Sequence, residues 1–194
     1  MVMTDLPADE RGTPACASPH GLPALDSLWA VLTSVADPEI PVLSIVDLGI
    51  VRAIERDADN PRTVVVRVTP TYSGCPATEV IMDAIRDALA MAGVANARLD
   101  IALSPPWSTD WITAEGRRKL REYGIAPPTG GAPVTTSRID VAGVSPLRRA
   151  KATVACPRCG SRATRLVSQF GSTACKALMR CDDCLEPFDY FKPH

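Results

Sequence analysis

The sequence is short of several things, and each shortage narrows what the chain can do. It holds two histidines, His20 and His194, one close to each end, so a cysteine or serine nucleophile would lack the imidazole base that such chemistry usually needs. Aromatic residues make up 5 % of the chain and the net charge is −1, a composition without the dense basic or aromatic patch that draws nucleic acid or a membrane surface. No apolar run approaches the roughly 18 residues of a membrane-spanning helix. Met1 to Pro23 has no basic start followed by an apolar stretch, so nothing there resembles an export signal and the expected location is the cytoplasm. No internal repeat is visible.

What remains is a globular composition. Apolar residues are 46 % of 194, enough for one ordinary domain and a small appendix. Charge is unevenly placed: from Arg148 onward there are nine basic and four acidic residues, leaving twelve and eighteen for the rest. The tail is basic and the body acidic, as two solvated units would be, or as a tail that docks on an acidic surface would be.

Cysteine is the residue that the chain uses deliberately. Four of its seven cysteines form two matched pairs, Cys156-Pro157-Arg158-Cys159 and Cys181-Asp182-Asp183-Cys184. Two thiolates at this spacing can turn onto one ion from a tight turn, and two such turns supply the tetrahedral four-sulfur shell that zinc prefers. The spacing fits a metal better than disulfides or unliganded thiols, and an odd total agrees with a reducing compartment.

Periodicity divides the chain into four stretches. Residues 1–22, with Cys16 and His20, read as a flexible lead-in. Residues 23–128 read as one α+β domain. Leu25, Leu28, Trp29, Leu32 and Val35 mark an amphipathic helix that must stop near Asp37, ahead of Pro38. Ser44 and Asp47 are spaced as a capping box, and Gly49 suits a left-handed turn end. Ile50 to Arg56 and Thr63 to Thr69 read as a hairpin. Pro76 to Ala92 carries an apolar stripe that includes Val80, Ile81, Ile85 and Leu89 and closes at Gly93. Ala97 to Leu103 follows as a strand with Leu99, Ile101 and Leu103 inward, and a last helix runs from about Asp110 to Tyr123. The expectation is a small three-stranded mixed sheet with packed helices. Residues 129–152 read as a linker, and residues 153–194 as a zinc ribbon with candidate strands Thr164 to Ser168, Ala177 to Arg180 and Phe188 to Phe191.

Cys75, in Ser73-Gly74-Cys75-Pro76, stands directly before the best helix of the chain. A thiol there is an N-cap, where free amide hydrogens and the helix dipole favour the thiolate. It could equally be a small buried hydrophobe in the strand-to-helix turn. Asp37, Glu39 and Asp47 lie in the preceding loop, where they brace backbone amides or approach Cys75. Cys175 lies inside the ribbon but outside its pairs, as a packed apolar residue or as a redox-active or auxiliary ligand whose thiolate Lys176 would favour. Trp107 and Trp111 suggest core or interface packing, and Arg117, Arg118, Lys119 and Arg121 a solvated helix face.

Asp37-Pro38-Glu39-Ile40-Pro41, Ile45-Val46-Asp47-Leu48-Gly49-Ile50-Val51 and Thr69-Pro70-Thr71-Tyr72-Ser73-Gly74-Cys75-Pro76 together resemble the small iron–sulfur assembly domain. Bacterial SufT-like proteins and the targeting factor of the eukaryotic cytosolic iron–sulfur machinery share that domain. The resemblance covers about Leu25 to Leu103. Ser104-Pro105-Pro106-Trp107, the segment from Tyr123 to Pro128, and Phe170-Gly171-Ser172-Thr173-Ala174-Cys175-Lys176 are similar to the branch of this family that belongs to bacterial phenylacetate degradation.

The resemblance implies a place beside the phenylacetyl-CoA epoxidase, a di-iron oxygenase fed by a reductase that carries flavin and a plant-type iron–sulfur cluster. The implied task is assembly or maturation of that reductase's cluster, without independent catalytic activity. The family's reactive cysteine falls on Cys75, and its acidic loop positions on Asp37, Glu39 and Asp47. The ribbon is an addition that short members lack. One thiolate cannot complete a cluster shell, which normally takes four cysteines, so a transient iron or cluster on Cys75 would need a homodimer or ligands lent by donor or client. Two other readings compete: an oxygenase or electron-transfer subunit holding redox iron in the four-cysteine site, which suits either metal, and a nucleic-acid-binding ribbon, which the acidic body disfavours.

Overall fold

The structure, a computed structural model, describes residues 22–72, 75–129 and 154–193. Cys16, His20, His194 and almost all of the expected linker lie outside them. Leu25–Thr33 forms α1, with Leu28 and Leu32 fully buried. Two strands follow, β1 (Val51–Arg56) and β2 (Val64–Val68), paired antiparallel. After α2 (Ala77–Met91), β3 (Ala97–Ile101) returns parallel to β2, giving the order β1-β2-β3. The central strand has neighbours on both sides, and Val64, Val65, Val66 and Val68 are all buried. A β-branched run is what such a strand requires. The parallel return needs a crossover, which α2 supplies while burying Ile81, Met82, Ile85 and Leu89 on the sheet. The mixed three-stranded α+β sandwich is therefore as expected.

Several details differ from the sequence reading. The third strand ends at Ile101, which is half exposed, and Leu103 lies beyond it with 62 % exposure. Both belong to an edge where the chain leaves the sheet, so neither faces the core. Val80 is also exposed, at the margin of the α2 stripe. The expected last helix is two pieces, a 3-10 turn at Thr109–Trp111 and α3 at Ala114–Tyr123. Ile112 is extended between them, because Thr113 caps α3 by accepting the Gly116 N–H at 2.9 Å. The basic residues of α3 are not one solvated face either. Arg117 donates to the carbonyls of Thr109 and Pro128, and Lys119 pairs with buried Asp47 at 2.7 Å; Arg118 pairs with Glu115 and Glu122 in solvent.

The second sheet begins with a short strand that the sequence did not announce, β4 (Ile125–Ala126). It continues with β5 (Thr164–Ser168), β6 (Lys176–Cys181) and β7 (Pro187–Phe191), antiparallel as a ribbon should be. Because β4 adds to β7 in parallel, the sheet order is β4-β7-β6-β5 and the ribbon is hydrogen-bonded to the body. Its apolar side chains confirm the junction: Phe191, 1 % exposed, and Cys175 belong to the core of the first domain. Ala126, Val154, Met179 and Phe188 form a second, smaller core with the knuckle cysteines.

Trp107 sits at this junction. Its indole N–H donates to the Leu48 carbonyl at 2.9 Å, and its ring lies 6.1 Å from that of Phe191. Trp111 instead stacks beneath the Arg52 guanidinium at 3.5 Å. Gly49 makes that approach possible, with φ of +68° and room for no side chain: an added Cβ would lie 2.6 Å from the Trp111 carbonyl oxygen. Gly49→Ala is expected to cost about 2–4 kcal/mol in chemical denaturation, combining a left-handed penalty with overpacking. Gly124→Ala, at φ +89° with open space around it, should lose only the backbone part, about 1–2 kcal/mol.

Candidate functional site

Two cysteine sites are present, one closed and one open. In the closed one the Sγ atoms of Cys156, Cys159, Cys181 and Cys184 lie within 4.8 Å of one another. Cys156 and Cys184 are 3.7 Å apart, and Cys159 and Cys181 3.6 Å. A tetrahedral ion with metal–sulfur bonds of about 2.3 Å has sulfur–sulfur edges of about 3.8 Å, so the donor set fits such an ion without rearrangement. The first pair sits on a turn, where the Gly160 N–H closes onto the Cys156 carbonyl at 2.9 Å and Gly160 has φ of +76°; the second sits on the bend between β6 and β7, where the Cys181 N–H donates to the Glu186 carbonyl at 3.0 Å. Backbone amides of Cys184 and Asp183 pull the Cys181 thiol below its ordinary value, whereas those of Cys159 and Cys184 are raised, as four crowded thiols that cannot all carry charge without an ion require. Among the described residues this is the one group of three or more Cys, His, Asp or Glu gathered so closely.

The open site lies where the ribbon meets the first domain. A recess there is lined by Asp37, Glu39, Thr71, Cys75, Thr78 and Cys175, with Phe191 and Ile81 among its apolar walls. Its volume, about 20 Å³ for the centre of a water-sized sphere, has room for one or two waters or an ion. Cys75 is half-buried one residue before the α2 cap, Pro76, and its carbonyl accepts the Thr78 N–H at 3.1 Å. Pro76, not Cys75, is the N-cap of α2, and no side chain caps the helix there; the expected capping position of the Cys75 thiol is thus displaced by one residue, because Pro76 already has helical dihedrals. Thr78 Oγ1 is buried without a hydrogen-bond partner.

The charges around the recess are arranged by burial. Asp37 Oδ1 accepts from the backbone N–H of Glu39 and Ile40 at 2.9 and 2.8 Å, bracing the loop. Burial nevertheless pushes the Asp37 carboxyl up, against those two bonds. Cys175, 5 % exposed, points its Sγ to Glu39 Oε2 at 3.6 Å and lies 3.0 Å from Thr173 Oγ1. Burial, reinforced by the Glu39 charge, raises this thiol to about 11. Lys176 acts in the opposite direction, as expected of a neighbouring ammonium, but burial and Glu39 outweigh it; that ammonium also pairs with Asp189 at 3.5 Å. Tyr72 is raised first by burial and then by the neighbouring Cys75, to which it hydrogen-bonds, with Glu39 and Cys175 adding to the effect.

Asp47 stands apart from the recess. It accepts the Ser44 N–H at 3.0 Å while Ser44 Oγ accepts the Asp47 N–H at 2.9 Å, a reciprocal capping box. Its carboxylate also meets Thr113 and Lys119. The Glu39–Cys175 contact was not foreseeable: the two residues are 136 positions apart, and the one local hint was a cysteine left over from the ribbon's pairs.

Comparison with known proteins follows this division. The family model described as the PaaD zinc beta ribbon domain matches residues 141–192, and the one described as iron-sulfur cluster assembly protein matches residues 25–99. A putative 1,2-phenylacetyl-CoA epoxidase subunit of Escherichia coli K12 is 48 % identical over 170 residues, 88 % of this chain and 93 % of its own. This chain belongs to the PaaD family. Shorter relatives match about half of the chain. An Fe-S protein maturation auxiliary factor of Porphyromonas gingivalis is 33 % identical over 49 % of this chain and 89 % of its own. The factor YitW of Bacillus subtilis is 34 % identical over 44 % and 81 %. Among the described residues of this PaaD family member, no helix is long and apolar enough to cross a membrane.

Two outcomes are expected. Cys156→Ser should lose the ribbon metal by elemental analysis and melt β5–β7, since a structural site of this type contributes on the order of 10 kcal/mol; Trp107 fluorescence should change as Phe191 leaves it. Asp47→Ala should destabilise the fold by about 2–4 kcal/mol, stranding Lys119 and the Ser44 amide. Burial alone would raise the Asp47 carboxyl, but Lys119 and Ser44 outweigh it and hold it below its ordinary 3.8. Its stabilisation is therefore complete above that value and disappears as pH falls through the lower folded one. Denaturation between neutral and strongly acidic pH should show this component in the wild type and not in Asp47→Ala.

Proposed function

We propose that this protein is an assembly or maturation factor for the iron–sulfur component of the phenylacetyl-CoA epoxidase system, its reductase, and that it has no independent catalytic activity. The observation that carries the reading is the contrast between its two cysteine sites. The four-sulfur set is saturated by one tetrahedral ion, so it has no open position for cargo; zinc, which lacks redox chemistry, suits that structural task. Cys75 is a half-buried thiol lining the recess, in the turn that leads into α2 and within the segment that matches the iron-sulfur assembly family.

Iron or a cluster is then the substrate, held by Cys75 while donor, client or a second copy of the chain supplies the other ligands. The recess is too small to enclose a cluster, so such cargo sits at its mouth. Transfer to the client follows when the client's thiolates replace Cys75. The names of the relatives support both halves of the proposal, the epoxidase system through the Escherichia coli relative and cluster maturation through the two auxiliary factors. The proposed setting is the cytoplasm.

A second reading keeps the epoxidase system but makes the protein a non-catalytic or electron-transfer subunit with iron in the four-cysteine site. The 3.6 and 3.7 Å sulfur separations favour it as much as zinc, because four thiolates in a tetrahedron suit either ion. Protein purified without oxygen decides between them: visible charge-transfer bands lost in Cys156→Ser support iron, and a colourless protein with one zinc supports the structural role. For the principal proposal, Cys75→Ala in cells should leave the ribbon metal in place and lower the cluster content of the reductase several-fold. Full cluster occupancy with that variant would overturn it.

A further inference from the structure

We infer that the ribbon completes the Cys75 site, with Cys75, Cys175 and Glu39 of one chain forming a mixed thiolate–carboxylate pocket for a single borderline divalent cation such as ferrous iron. The inference rests on the reading of Cys75 as the cargo-holding residue and assigns its missing ligands. Three separate segments converge on the recess: the loop before the first sheet brings Glu39, the turn before α2 brings Cys75, and the loop before β6 brings Cys175. Two sulfurs and a carboxylate oxygen are a donor set for a borderline transition metal, not for magnesium or calcium.

Two further observations point to a ligand. The recess has room for an ion or for a water or two. Thr78 Oγ1 is buried there with no partner, an unused polar group of the kind that native interiors rarely leave without a bound species. Cys175 is also held in place with some care. Its carbonyl accepts the Lys192 N–H at 3.0 Å, Thr173 Oγ1 contacts its sulfur, and the Gly171 N–H closes the loop onto the Lys176 carbonyl at 2.8 Å. Packing alone would not require a sulfur facing a carboxylate.

The three ligand atoms are less tightly gathered than the knuckle sulfurs, so binding draws Cys75 toward the Cys175–Glu39 pair. Each thiol that binds gives up its proton to solvent, and no electron moves: one divalent cation replaces two thiol protons. A metal-bound ribbon then acts as a ligand-bearing clamp.

The test is an anaerobic titration of the full-length, ribbon-metallated protein with ferrous iron and, separately, cobalt(II), following thiolate-to-cobalt charge-transfer bands and released protons. One equivalent beyond the ribbon metal is expected in the wild type. Cys175→Ala and Cys75→Ala should each weaken it by at least about 10–100-fold, the loss known for even an outer partner of a metal ligand. Glu39→Gln, which preserves volume, should weaken it with no loss of ribbon metal or of thermal stability. If Cys75→Ala abolishes the extra equivalent while Cys175→Ala and Glu39→Gln leave it intact, the pocket is refuted and Cys75 alone carries cargo. Absence of the extra equivalent in the wild type also overturns the inference. If the site behaves as described but Cys75→Ala still matures the reductase in cells, the pocket stands and the maturation role falls.

Discussion

The placement of the ribbon depends on one buried contact, the indole of Trp107 held between the Leu48 carbonyl and the Phe191 ring. A buried tryptophan must satisfy its N–H while hiding a large apolar surface, and this one does so with groups from the two units at once. Leu48 belongs to the loop in front of the first sheet. Phe191 ends the last strand of the ribbon and is sunk in the first domain's core. The β4–β7 pairing prolongs the same contact along the backbone, and the Lys192 N–H carries it on to Cys175. A ribbon tied at only one of these points could pivot; tied at all of them, it presents Cys175 to the recess in a fixed position.

The acidic loop residues divide their labour according to what surrounds them. Asp47 faces a lysine, two hydroxyls and a backbone amide, so its charge is fully used in joining α3 to the loop. Gly116 shows how close that joint is, since an added Cβ would lie 2.9 Å from the Asp47 carbonyl oxygen. Asp37 spends its oxygen on two amides of its own turn. Glu39 is different: its carboxylate reaches across to a cysteine sulfur of the ribbon. Three carboxylates with similar positions in the sequence thus have a structural, a local and a site-facing role.

That division explains how far the sequence could be read. The four-cysteine set was legible because its information is local, two turns of fixed spacing, and the sulfurs do come together. The sheet and α2 were legible because Val64 to Val68 and Ile81 to Leu89 carry strong periodic burial. Ile101 and Leu103 misled because an edge strand exposes apolar residues that alternation alone assigns to the core. The last helix was misjudged because Thr113 is a better cap than interior residue, and capping breaks a helix that composition would have continued. The recess was legible only in part: Asp37 and Glu39 could be placed near Cys75, and they line one recess with it, but Cys175 joins them only where Trp107 and Phe191 dock the two units, and no spacing rule spans that distance.

On the proposed structural reading, the four-cysteine site performs no chemistry and still shapes the recess. A ribbon of about forty residues is too small to hold itself together by apolar burial, and its core of Ala126, Val154, Met179 and Phe188 is correspondingly thin. Four thiolates around one ion supply the missing constraint and define where β6 and β7 run. Those strands begin and end at the residues that matter for the recess: β6 starts beside Cys175 and β7 finishes at Phe191. The closed site fixes the strands, the strands fix the far end of the ribbon, and the far end supplies a wall and a sulfur to the open site. Coupling of this kind makes loss of the ribbon metal a loss of geometry at Cys75, although the two sites share no ligand.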